Sequence, residues 1–184
     1  MSPDQDALAR LRALGPPPAL PISAVGPQVW SDVERELGLK LPTDFKQLLE
    51  EYGLGAFNDF LFAFNPAVAN PHMNLLHSAA EYARIDRSSR ADGVPIPYPI
   101  HPEQGGLLAW GKTDNGDVLF WLTDPPEDPD SWPIVASESR GPNWYRHPGP
   151  ASSFLADLLS GAIQVPFIGP DQIGGEPRFE SFAA

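Results

Sequence analysis

The chain has 184 residues, 24 acidic side chains against 12 Lys and Arg, and no cysteine. A formal charge of −12 repels phosphate backbones and anionic headgroups, so nucleic acid and membrane surfaces are excluded as expected partners and basic proteins are favoured. Without cysteine there is no disulfide, thiol nucleophile or thiolate metal site, which suits a reducing cytoplasm.

The N-terminus, MSPDQDALAR, has no apolar signal core, and no wholly apolar run is longer than that of Phe60 to Phe64, so neither an export nor a spanning segment is expected. Residues 4 to 15 predict a short helix, with Leu8, Leu11 and Leu14 at every third position and Gly15 as a stop. Pro16, Pro17, Pro18, Pro21 and Pro27 make the next stretch an extended, semi-rigid lead-in, which puts the domain start near Gln28. Val29, Val33 and Leu37 then recur at helical spacing up to Gly38, and Ser31 with Glu34 has capping-box spacing for a late start. The clearest helix follows Pro42, with Phe45, Leu48, Leu49 and Tyr52 at i, i+3, i+4 and i+7 before Gly53.

The aromatic run Phe57 to Phe64 predicts a single buried strand. Asn74 is placed to cap a helix from Leu75 to about Arg87, with arginines toward its C-terminal end. Pro95, Pro97, Pro99 and Pro102 force an extended connection. Two apolar runs, Gly106 to Trp110 and Val118 to Thr123, flank Asn115-Gly116, a strong hairpin signal. An acidic, proline-rich loop from Asp124 to Pro133 precedes a strand at Ile134 to Ser137 and a shorter one at Trp144-Tyr145. Ser152 or Ser153 is placed to cap a last helix, Phe154 to Ser160, and residues 162 to 184 read as a tail. This order predicts an α+β fold in a single domain, a mainly antiparallel sheet with helices packed against it.

The stretch ERELGLKLPTDFKQLLEEYGLGAF, Glu34 to Phe57, followed by FNDFLFAFNP, resembles the opening of the SUKH superfamily. That superfamily contains the fungal Smi/Knr cell-wall regulators and many bacterial immunity proteins. Leu37-Gly38, Leu41-Pro42, Asp44-Phe45 and Tyr52-Gly53 carry the resemblance, joined downstream by Leu107 to Gly111, Asn115-Gly116-Asp117, Phe120-Trp121 and Phe154-Leu155. It spans roughly 28–161, between a lead-in at 1–27 and a tail at 162–184. The resemblance implies a SUKH-like domain acting in the cytoplasm without chemistry of its own, most simply as an immunity protein that covers a cognate toxin. A regulatory scaffold with several client proteins is the alternative, and a carbohydrate-binding or small-ligand module a third.

No motif argues for catalysis. His72, His77, His101 and His147 lack helical zinc-pair spacing among themselves. The Gly of Asp114-Asn115-Gly116-Asp117 comes too early for a calcium loop, and there is no G-x-S-x-G elbow or phosphate loop. No metal, cofactor or catalytic residue is therefore assigned. The informative feature is charge: Asp114, Asp117, Asp124, Glu127, Asp128 and Asp130 fall in seventeen residues without a Lys or Arg. Such a run is either a solvated face or a docking surface for Arg and Lys of a basic partner such as a toxin domain, stiffened by Pro125, Pro126 and Pro129. Trp30, Trp110 and Trp121 lie in apolar segments and read as core. Trp132 and Trp144, beside loop prolines, are the candidate exposed anchors.

Overall fold

Two features of the sequence, the Leu-Gly helix stops and the Asn-Gly turn, set the order of elements that the computed structural model describes over residues 3–182. Helices α1 (Pro3–Leu14), α2 (Pro27–Leu37) and α3 (Thr43–Tyr52) lead into strands β1 (Gly55–Phe57) and β2 (Leu61–Ala63). Helix α4 (Leu75–Ala91), strands β3 (Leu107–Thr113), β4 (Val118–Leu122), β5 (Ile134–Ser137) and β6 (Trp144–His147), and helix α5 (Ala151–Leu159) follow. A short helix α6 (Pro170–Ile173) and strand β7 (Phe179–Ser181) come last. The seven strands form one antiparallel sheet in the order β6-β5-β4-β3-β2-β1-β7. The fold is the expected α+β architecture.

Consecutive residues of a strand face opposite ways, and β4 shows both layers. Trp121 points with Trp110 at Phe45 of α3, and Trp110 also meets Phe154 of α5. Phe120, one residue earlier, turns to the other face and packs near Trp144, which touches Tyr98 of the proline-rich connection. Strand β2 lies between β1 and β3 and meets β3 at Gly111 to Thr113, and α4 packs along β3. Helix α1 lies against α5 and α3, with Leu8 and Leu11 fully buried in the common core, and Arg10 and Arg12 pair with Asp157 and Glu51. At Gly53 the backbone turns to φ 68° and runs against the chain at Ile22, whose carbonyl would sit 2.2 Å from any Cβ there. Glycine is required at that position.

The structure corrects several local expectations. Phe57 to Phe64 is a hairpin, not one strand: Asn58 and Asp59 adopt φ of 52° and 54°, and Phe60 N–H donates to Phe57 O at 3.0 Å. Asn and Asp enter this left-handed region more readily than other non-glycine residues, so the turn closes without a glycine signal. Helix α2 starts at Pro27, so Ser31 lies inside it with its hydroxyl on Pro27 O, and no capping box forms. Glu34 instead fastens the α2–α3 connection, accepting from Leu41 N–H at 3.0 Å and from the Lys40 and Lys46 ammonium groups. Burial pushes this carboxyl up, but the hydrogen bonds from the two lysines and Leu41 outweigh it and hold Glu34 below the usual range. Asn74 does cap α4, accepting from His77 N–H, and that helix runs on to Ala91 because no breaker comes before Gly93.

Helix α5 begins at Ala151, ahead of the serines expected to cap it. Its first turn is held from a distance: Ser152 N–H donates to Asp44 Oδ2 of α3 at 2.8 Å, 108 residues away. A buried carboxylate on a helix N-terminus joins a charge-assisted hydrogen bond to a favourable dipole. Asp44→Ala is expected to cost about 1–3 kcal/mol, measured as a lower urea midpoint with an unchanged slope. The segment after Gly161 packs onto the domain, with Val165 and Ile168 buried and β7 closing one edge of the sheet beside β1.

Candidate functional site

The six acids that are neighbours in sequence separate in space, because β4 runs between them. Asp114 and Asp117 sit at the β3–β4 turn, while Asp124, Glu127, Asp128 and Asp130 follow the other end of β4. Seven residues of extended chain put Asp117 and Asp124 roughly 20 Å apart. The acidic run is therefore two surfaces, one at the hairpin tip and one on the loop after β4.

At the hairpin end, Asp117 is only 3% exposed. It accepts from Thr113 Oγ1 at 2.8 Å and from Ser139 N–H at 3.0 Å, so it ties the β3–β4 turn to the β5–β6 connection. That role removes Asp117 from the contact surface. Asp114 stays exposed, and Arg140 lies beside the same turn, with Asn115, Asp117, Ser139 and Phe167 around a small surface pocket. Glu138 lines the same pocket, so Arg140 brings a positive charge to this end of β4 together with a further carboxylate.

The other end is different. Trp132, expected as an exposed anchor, is 1% exposed: its ring packs against Trp121 and its indole N–H donates to Pro125 O at 2.6 Å. Trp132 is thus the internal post of the loop, because a large apolar ring beside prolines gains more by joining the core than by facing water. Asp130 is also engaged, accepting from Thr43 N–H at 2.6 Å and Thr43 Oγ1 at 3.1 Å, which caps α3 from 87 residues away. Ser131 Oγ donates to Asp128 O at 2.8 Å. The loop is pinned at both ends, and Asp124, Glu127 and Asp128 project from it exposed, meeting no basic side chain among the described residues. Trp144 is half-buried on β6, on the sheet face away from Trp121.

The rest of the charge distribution strengthens this contrast. Arg10, Arg12, Arg35, Lys40, Lys46, Arg84, Arg90 and Arg178 are each held by a carboxylate of the same chain. Most cations are neutralised internally, so the excess charge is carried by free carboxylates. A groove of about 370 Å³ runs between α2 and α4 over Leu37, Ala79, Ala80 and Ala83, with Arg87 and His101 at its side. Burial and the nearby Arg87 charge lower the His101 pKa. Among the described residues no group of three or more His, Asp or Glu is arranged to hold a metal ion, and no helix is long and apolar enough to cross a membrane.

A family model described as SMI1-KNR4 cell-wall (SUKH_6) matches residues 28–149, more than half of the chain. The chain belongs to the SUKH family. No curated protein and no solved structure matches it. In this SUKH chain the matched segment contains α2 to α4 and β1 to β6, including both acidic ends of β4. Helices α1 and α5 and strand β7 lie outside it.

One further titratable group stands outside any contact surface. Asp86, on α4, has its pKa pushed up to about 6 by burial, against the pull of Arg90, and its Oδ2 is buried without a hydrogen-bond partner. A carboxyl whose folded pKa is raised costs stability once the pH climbs above its unfolded value, and the full cost is reached above the folded one. Asp86→Asn is therefore expected to raise the melting temperature at pH 7 and to leave it nearly unchanged at pH 3.5, as read by calorimetry at the two values.

Proposed function

We propose that this SUKH protein is a non-enzymatic cytoplasmic binding protein of the immunity type, which neutralises a cognate toxin by covering it. Asp124, Glu127 and Asp128 meet Lys and Arg of the toxin, with Asp114 a separate, secondary contact and Trp144 at the sheet margin. One observation carries the reading. Three carboxylates stand on a pinned loop with no cation among the described residues to satisfy them, in a protein whose Lys and Arg are largely paired. A loop already ordered loses little entropy on docking, and its negative potential speeds encounter with a basic surface. Many toxin effectors that act on nucleic acid are basic for the same electrostatic reason.

The matched description, SMI1-KNR4 cell-wall, favours a second reading as a regulatory scaffold for several client proteins. Co-expression with the products of adjacent genes separates the two. Rescue of growth from one toxin and its co-purification at one-to-one stoichiometry support the first. Capture of several unrelated partners, with a deletion phenotype in cells that carry no such toxin, supports the second.

A further inference from the structure

Strand β6 forms one margin of the sheet and β7 the other. Glu138 N–H donates to Asn143 O at 3.0 Å, in register with the pairs Ala136 with Tyr145 and Ile134 with His147. In an antiparallel ladder this alternation turns the N–H and C=O of Tyr145 and His147 toward β5 and those of Trp144 and Arg146 outward. Among the described residues, no backbone bond outside the sheet takes up these four outward groups. Trp144 and Arg146 share one face of the sheet and Tyr145 lies on the other. Arg146 is exposed and has no carboxylate partner among the described residues.

We infer that a second copy of this chain adds to β6, antiparallel, about a two-fold axis at Tyr145. This register sets Trp144 opposite the partner's Arg146 and Arg146 opposite the partner's Trp144, so that all four outward groups find partners in four backbone hydrogen bonds. Each guanidinium then lies by an indole, a cation–π contact. Tyr145 meets the partner's Tyr145 at the close, non-hydrogen-bonded position, where aromatic pairs across strands are favourable. The strand WYRH carries no carboxylate, so the strongly negative surfaces do not meet at its centre.

The opposite margin shows why β6 is selected. There Asn58 N–H donates to Arg178 O and Phe182 N–H to Leu54 O, which turns Phe179 and Ser181 outward. The same symmetry at β7 centres on Glu180 and sets two carboxylates against each other, an unfavourable like-charge pair. Four residues per copy bury less than the roughly 1,200 Å² of a stable complex. Two copies of charge −12 also repel, so the dimer is weak and strengthens with salt.

Sedimentation of the full chain from about 10 μM to about 1 mM, in about 0.05 and 0.5 M NaCl, tests this directly. The weight-average mass is expected to rise from the monomer value toward twice that value, further at the higher salt. Arg146→Pro deletes an outward N–H without touching the β5 ladder, and Arg146→Glu keeps the backbone but places a carboxylate on the partner's indole. Each is expected to weaken association at least about 10-fold, with circular dichroism confirming an intact fold. A wild-type chain that stays monomeric at about 1 mM in both salts overturns the inference, because Arg146 then only guards an exposed strand. A dimer of unchanged strength in both variants overturns it equally.

Discussion

Replacing Phe45 with alanine is expected to lower the unfolding free energy by about 3–5 kcal/mol. Phe45 is fully buried and its ring is met at 4.8 Å by Trp121, at 5.9 Å by Trp110 and at 6.2 Å by Trp30, all edge-on. These rings come from α2, α3, β3 and β4, so the side chain is the point where the first helices and the central hairpin lock together. Truncation removes transfer energy, leaves a cavity that rigid indoles fill poorly, and loses edge-to-face contacts worth about 0.5–1.5 kcal/mol each. Urea unfolding followed by tryptophan fluorescence measures the change. A loss under about 1 kcal/mol would mean that the indoles collapse into the space, against the usual behaviour of packed cores.

The second large effect concerns rate. Changing Asp124 and Asp128 to Asn and Glu127 to Gln together is expected to slow association with a basic partner by about 10-fold or more at low salt, to flatten the salt dependence, and to leave dissociation nearly unchanged. Stopped-flow mixing against the purified toxin at two ionic strengths reads this out. The melting temperature stays the same, because none of these three side chains bonds within the chain among the described residues. Asp130 is left in place, since its carboxylate caps α3 and its removal mixes a stability loss into the result. An unchanged on-rate in the folded triple variant removes the loop from the proposed contact.

What sequence reasoning recovered follows the range of the interactions concerned. Helices α2 and α3, the Asn-Gly hairpin and the α+β class rest on local chemistry: leucines at helical spacing, Gly38 and Gly53 as stops, and Asn115-Gly116 between apolar runs. The Asn58-Asp59 turn was hidden because the same left-handed geometry was built without glycine. Trp132 looked exposed because its sequence neighbours are prolines and acids, and only the fold brings Trp121 against it. The caps supplied by Asp44 and Asp130 reach over 108 and 87 residues, distances at which a single sequence carries no signal. The acids of the candidate surface were visible, and the apolar run Val118 to Thr123 already divided them between the hairpin tip and the loop after it; what stayed hidden was the engagement of Asp117 and Asp130. The outward turn of Trp144 and Arg146 depends on strand order and register, which local pattern does not specify.

The pairing of α1 with α5 has a consequence for biosynthesis. Arg10 and its carboxylate Asp157 are 147 residues apart, so α1 can meet α3 early in synthesis but waits for α5 before its seat is complete. At ordinary elongation speeds that interval is roughly 7–30 s, during which Leu8 and Leu11 lack the α5 side of their packing. Docking of α1 is therefore completed late, and until then this helix is a natural substrate for chaperones that shield apolar segments.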